Sequence, residues 1–265
     1  ALLGLGGAVA QGLFRNPLAE PYLLGSSSGA ALGMALMLSF GMPDALISST
    51  VGRMGLTGVA FVGAVSGVSL TLMLARGAAH TMRLLLGGVV VGVVLGALTQ
   101  LLMVWSAPAW RIMQAFMLGH TALLSWQACG VMAVVLCLTL PVAMALSRVL
   151  DALSLGEDVA RTLGIPLGLT RAVLVGVLAL STGAAVAQAG LVAFVGLVAP
   201  HLVRSRAGAR HGALLSLSTL MGAVLLAAAD VLSRLVLAPQ ELPVGVLTAV
   251  LGGTYLLWLL HRRRA

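Results

Sequence analysis

The sequence predicts an all-α protein, a polytopic bundle of membrane-spanning helices, and three observations carry that expectation. Hydrophobic residues fill 60% of the 265 positions, charged residues only 8%, and mean hydropathy is +1.11; so little polar surface cannot coat a water-soluble globule. The apolar residues come in long runs at roughly 1–14, 24–40, 54–75, 84–105, 127–147, 172–200, 212–231 and 243–260, and about 20 helical residues cross a hydrocarbon layer. The polar joints between runs are short, which makes residues 1–265 a single transmembrane domain of eight or nine crossings.

The first run opens in mid-helix at Ala1, ALLGLGGAVAQGL, with no Met and no basic stretch ahead of it. It reads as the remainder of a helix and not as a signal peptide. The second, third and fourth runs carry small residues at four-residue spacing: Gly25, Gly29 and Gly33, then Gly63 and Gly67, then Gly88, Gly92 and Gly96. That spacing puts them on one helix face, where close backbone approach replaces the hydrophobic drive that lipid does not supply. The fifth run holds Cys129 and Cys137, eight apart with no His nearby, and both are expected to be buried, inert thiols.

The sixth run, 172–200, is 29 residues without a charge and weakens near Gln188, Ala189 and Gly190. Arginine decides how to divide it, since all fifteen basic residues are Arg and the formal net charge is +8. Two crossings in this run place twelve Arg on one side and three on the other; a single crossing gives seven and eight. The positive-inside bias selects two. The C-terminal HRRRA and the joints around 15, 80, 148–171 and 201–211 are then cytoplasmic, and those around 44, 106–125 and 232–242 face outward. Trp105, Trp110 and Trp126 fall at the outer interface, as belt aromatics do. Arginines at helix ends without interleaved aromatics are lipid anchors, not a nucleic-acid surface.

Several function classes are disfavoured. No charge sits at the centre of a run, whereas an ion-coupled secondary carrier, the alternative reading, usually needs one there. HExxH is absent and no intramembrane acid-base pair is evident, which leaves no catalytic residues to name. Without lysine there is no GxxxxGK[ST] phosphate loop, so any ATP hydrolysis belongs to another polypeptide. His201, in APHLVR, is a lone interfacial His, expected as a hydrogen-bonded cap rather than a metal ligand; no metal site and no cofactor is assigned.

The polar stretch 148–171 contains LSLGEDVARTLGIPLG. Ser154 and Glu157 have capping-box spacing, Glu157 and Arg161 form an i,i+4 pair, and Gly164 with Pro166 stops the helix. Val159, Ala160 and Leu163 then form a small apolar face. Read by itself the stretch is either a solvated connector, as a purely structural membrane scaffold would have, or a short helix that docks into a groove on a soluble partner.

Four segments now point to a family: RNPLAEPYLLGSSSGAALG (15–33), LSLGEDVARTLGIP (153–166), GLVAFVGLVAPHLVR (190–204) and AADVLSRLVLAPQELPVGVLTAVLGG (228–253). In this order they resemble the iron-siderophore, haem and vitamin B12 permease family of type II ABC importers. The resemblance implies the family's ten-helix bundle, with about nine helices present here and roughly one and a half expected before Ala1. It implies that the chain is a transport subunit and not an enzyme, in a bacterial inner membrane. Its implied partners are ABC ATPase subunits, a periplasmic substrate-binding protein, and a second permease subunit, identical or related. It implies that Leu155, Gly156, Glu157, Ala160, Leu163 and Gly164 couple to the ATPase, and that Thr81 and Met82, in the loop AHTMR, form a cytoplasmic gate. Arg234, in an outward loop, would dock the binding protein, although Asp230 four residues earlier is an alternative partner. The cargo carries its own metal, and the permease does not name it.

Overall fold

The computed structural model describes residues 1–40, 50–78, 80–105, 107–122, 124–208 and 210–262. Its helices are α1 (Leu2–Phe14), α2 (Ser26–Ser39), α3 (Thr50–Leu74), α4 (Thr81–Trp105), α5 (Ala107–Leu118), α6 (Trp126–Ala145), α7 (Ser147–Ser154), α8 (Glu157–Thr162), α9 (Leu167–Ala189), α10 (Val195–Ala207), α11 (His211–Leu235) and α12 (Val244–Arg262). Among the described residues α3, α4, α6, α9 and α11 are long and apolar enough to cross a membrane, while α1, α10 and α12 contribute shorter apolar stretches.

Burial divides the helices into an inner set and a rim. Every residue of α1 is buried, and it packs against α9, α10 and α11. In α9, 72% of the most apolar window is buried, against 11% in α6; α9 is therefore a central post and α6 a rim helix. Outward on α4 point Leu86, Val89 and Val93, all exposed, an exterior suited to lipid or to another apolar surface. Trp110 and Trp126 are also exposed. Cys129 and Cys137 are exposed as well, against expectation, because α6 turns most of its circumference outward.

The stripes on α2 and α3 do what their spacing requires, whereas in the third only Gly88 is closely approached and Gly96 faces open space. A Cβ placed on Gly29 would overlap the Gly63 carbonyl oxygen, and one on Gly63 the Gly29 carbonyl oxygen, so α2 and α3 touch backbone to backbone. Buried Thr71 reinforces the contact: its hydroxyl donates to the Leu24 carbonyl at 2.9 Å.

Two boundaries differ from expectation. Run 24–40 yields a helix of only 14 residues, about 21 Å long, because the chain turns through 15–25 and Gly25 enters α2 with φ of 81°. The stretch 106–125, expected as a loop, contains α5. Its apolar residues Ile112, Met113 and Phe116 pack into the cluster with Met34, Met103 and Val186, so burial on that one side holds the helix.

Run 172–200 is divided as expected. Helix α9 ends at Ala189, Gly190 has φ of 72°, and α10 starts after Phe194, at φ of 65°. Unwound backbone inside an apolar bundle must find internal partners, and here it does. Leu191 N–H donates to the Phe116 carbonyl at 3.0 Å and His120 N–H to the Ala189 carbonyl at 2.9 Å. Tyr22 donates its hydroxyl to the Val192 carbonyl at 3.0 Å, and Phe194 N–H donates to Glu20 Oε1 at 3.4 Å.

Candidate partner-docking site

Residues 147–166 form two short helices where one was expected. Helix α7 is amphipathic: Leu150 and Leu153 are fully buried, while Asp151 Oδ1 accepts the backbone N–H of His211 at 2.8 Å and lies 2.7 Å from His211 Nδ1. That carboxylate satisfies one free N–H at the start of α11 and ties α7 to it. Leu155 and Gly156 then link to α8, with Gly156 at φ of 126°.

The capping box is not formed. Gly156, not Ser154, is the N-cap of α8, and the Ser154 hydroxyl donates to the Asp151 carbonyl at 2.6 Å. The stop signal does hold. Gly164, at φ of 73°, donates its N–H to the Arg161 carbonyl at 2.9 Å while Ile165 N–H donates to Ala160 at 3.2 Å. This pair of bonds is the Schellman closure, which needs a left-handed residue that glycine adopts without strain.

The predicted apolar face is split. Ala160 is fully buried, in the same core cluster as Ala75, Ala78 and Leu167, and is not available to a partner. Leu155 at 71% and Leu163 at 64% exposure stand clear of the bundle, with Val159 beside them. Their projection follows from Ala160 facing inward, which fixes the rotation of so short a helix.

Glu157 pairs with neither residue that local spacing offered. Its Oε1 accepts Arg171 Nη2 at 2.7 Å and the Thr81 hydroxyl at 3.3 Å, and Arg15 Nη2 lies 3.6 Å away. The Arg171 side chain is 1% exposed and that of Glu157 24%, so Arg171, expected at a cytoplasmic joint, is a buried cation within α9. Burial pushes the Glu157 carboxyl up, but the Arg171 hydrogen bond and charge, the Arg15 charge and the Thr81 hydrogen bond outweigh it and hold the group below its ordinary value. Thr81 and Met82 are not in a loop but begin α4, and Met82 is exposed.

Arg234 lies in the last turn of α11 and not in a loop. Its guanidinium meets Asp230 at 3.1 Å and Glu241 at 3.3 Å, and Asp230 also accepts the Thr121 hydroxyl. The alternative partner is thus engaged.

Residues 1–262 match the FecCD transport family. The chain belongs to that family. It is 39% identical to the hemin transport system permease protein HmuU of Yersinia pestis over 99% of this chain and 78% of that protein. Identity is 38% to the Fe(3+) dicitrate transport system permease protein FecD of Escherichia coli, over 100% and 80%. It is 37% to the vitamin B12 import system permease protein BtuC of Citrobacter koseri, over 100% and 78%. A solved inward-facing ABC transporter, described as of the metal-chelate type, superposes with a TM-score of 0.87 at 28% identity, over 98% of this chain and 82% of that one.

For this FecCD chain the sequence placed short helical structure in 148–171 and missed part of its polar connections. Arg15 and Arg171 counted only as topology signals, and the Asp151–His211 pair was not seen. Arg171 follows Glu157 by 14 residues and His211 follows Asp151 by 60, and helix breaks lie between the members of each pair, so no single periodic element relates them.

Proposed function

We propose that this FecCD chain is the transmembrane permease subunit of an ATP-binding cassette importer that moves an iron-siderophore, haem or cobalamin-type compound from periplasm to cytoplasm. It supplies the path; a separate ATPase supplies the hydrolysis. The observation that carries the reading is α8 with exposed Val159 and, flanking it, exposed Leu155 and Leu163, held on a chain of a transport family. Three apolar side chains on and beside a short helix outside the long spans have no use in water and suit a hydrophobic groove.

In this reading the α7–α8 face is cytoplasmic and seats an ATPase, and the multi-pass chain lies in a bacterial inner membrane with its C-terminus on the same side. Leu155 and Leu163 make the contact, Gly156 and Gly164 set the bends on either side of α8, and Ala160 and Glu157 hold α8 to the bundle. Thr81 and Met82, beginning α4 beside Glu157, form the cytoplasmic gate. The Arg234 end of α11 faces the binding protein. A carboxylate from that protein would exchange with Glu241, and since solvent screens exposed ion pairs of this kind, exchange costs little. The exposed row on α4 meets a second permease subunit, identical or related. Closure of the ATPases around ATP then rocks the two permeases between outward and inward access.

The test is uptake by liposomes that contain the full-length permease and its ATPase, with loaded binding protein outside and ATP inside. Ferric siderophore, haem and cobalamin are offered separately. ATP-dependent accumulation of one of them is expected; accumulation driven by a proton or sodium gradient without ATP would favour the secondary carrier.

A further inference from the structure

Four helices meet at one oxygen atom. Glu157 Oε1, at the start of α8, takes Arg171 Nη2 of α9 at 2.7 Å, the hydroxyl of Thr81 at the start of α4 at 3.3 Å, and Arg15 Nη2 at the end of α1 at 3.6 Å. The three links differ in kind. Arg171 is buried and always charged, and a buried cation holds tightly to the carboxylate that balances it. Its helix is a largely buried one, so this link ties Glu157 to the interior of the bundle. Arg15 adds a second, partly exposed cation. Thr81, a neutral donor, contributes one hydrogen bond longer than the usual O–H···O range, a link that can be made and broken without stranding a charge.

The apolar contacts follow the same lines. Ala160 of α8 shares a buried cluster with Ala75 and Ala78, from the turn that leads into α4, and with Leu84 in its first turn. The buried side of α8 thus joins the bundle core, its observed link to the beginning of α4 being the Thr81–Glu157 hydrogen bond, while Leu155 and Leu163 are exposed.

We propose that Glu157 is an internal latch and not a partner contact: its carboxylate, anchored on Arg171, hands displacement of α8 to the first turn of α4 through the Thr81 hydroxyl. Glu157 and Thr81 are positioning residues, and the leucines make the contact with the ATPase. This rests on the importer reading above, and it assigns different work to residues of a single segment. Loss of a leucine weakens assembly; loss of the Thr81 hydroxyl leaves assembly intact and uncouples it from the path. The element with two states is the Thr81–Glu157 bond, formed or open.

The experiment uses the complete importer in liposomes, with Thr81→Val, Thr81→Ser, Glu157→Gln and the Thr81→Val/Glu157→Gln double variant. Thr81→Val keeps the shape of the side chain and leaves the buried ion pair untouched, so it tests the latch even where Glu157→Gln folds poorly. Co-purification of the ATPase with Thr81→Val is expected to match wild type, while cargo moved per ATP hydrolysed falls at least ~10-fold, the scale of pairwise couplings between contacting residues. Thr81→Ser restores the ratio, and the double variant is no worse than Glu157→Gln alone. Wild-type transport per ATP in Thr81→Val overturns the latch, and so does loss of ATPase co-purification, which would put Thr81 at the interface. Failure of the importer reading looks different: the wild type itself shows no ATP-dependent uptake, and both proposals fall.

Discussion

Arg171 carries its charge at 1% exposure, and the cost of that burial is offset by Glu157. Replacing Glu157 by Gln keeps the size and removes the balancing charge, so the folded state should lose about 1–3 kcal/mol, measurable as a lower thermal midpoint in detergent. The pH dependence has a definite sign. The Glu157 carboxyl is held below its ordinary value of 4.5, so its stabilisation is fully present above pH 4.5 and is lost as pH falls through the lowered pKa. Wild type and Glu157→Gln should therefore differ in thermal midpoint at neutral pH and converge in acid. Gly164 offers a second local test. Open space surrounds its missing Cβ, but φ is 73°, so Gly164→Ala should cost about 1–2 kcal/mol from backbone strain alone.

At the scale of elements, α2 and α3 have no room for side chains where they cross. Gly29→Leu would drive a side chain into the Gly63 carbonyl and should cost at least about 2 kcal/mol, seen as loss of monodisperse protein on size exclusion. Gly130→Ala on α6, with nothing within 4 Å, is the matched change that should leave the elution profile intact. The segment proposed to dock the ATPase should behave in the opposite way. Leu155→Ser with Leu163→Ser touches only exposed positions, so the thermal midpoint should hold while co-purification of the ATPase drops. The stripes Gly25 to Gly33 and Gly63 to Gly67 were legible because helical period alone places small residues on one face. Helix α5 was not, because its pattern depends on a groove formed by α2 and α9, which are remote in sequence.

At the scale of the whole molecule, the division of residues 172–200 fixes which side every later segment occupies. Single cysteines at Ser154 and His261, in a chain whose Cys129 and Cys137 are replaced, should react with an impermeant thiol reagent only when it reaches the cytoplasmic face. A cysteine at Gln240 should react only from outside. Labelling of residues 154 and 261 from opposite sides would contradict the two-segment division. The sequence by itself determined the helical class, the break in the 172–200 run and the stop of the short helix at Gly164, since hydropathy and turn residues act over short stretches of chain. Only the tertiary structure decided that Ala160 is covered, that Arg171 is a buried cation, and that Glu157 belongs to Thr81 and Arg171 instead of Arg161. Those outcomes depend on which helix ends the packed bundle brings to one point, and a side chain can choose a remote partner over a local one only after the helices have met.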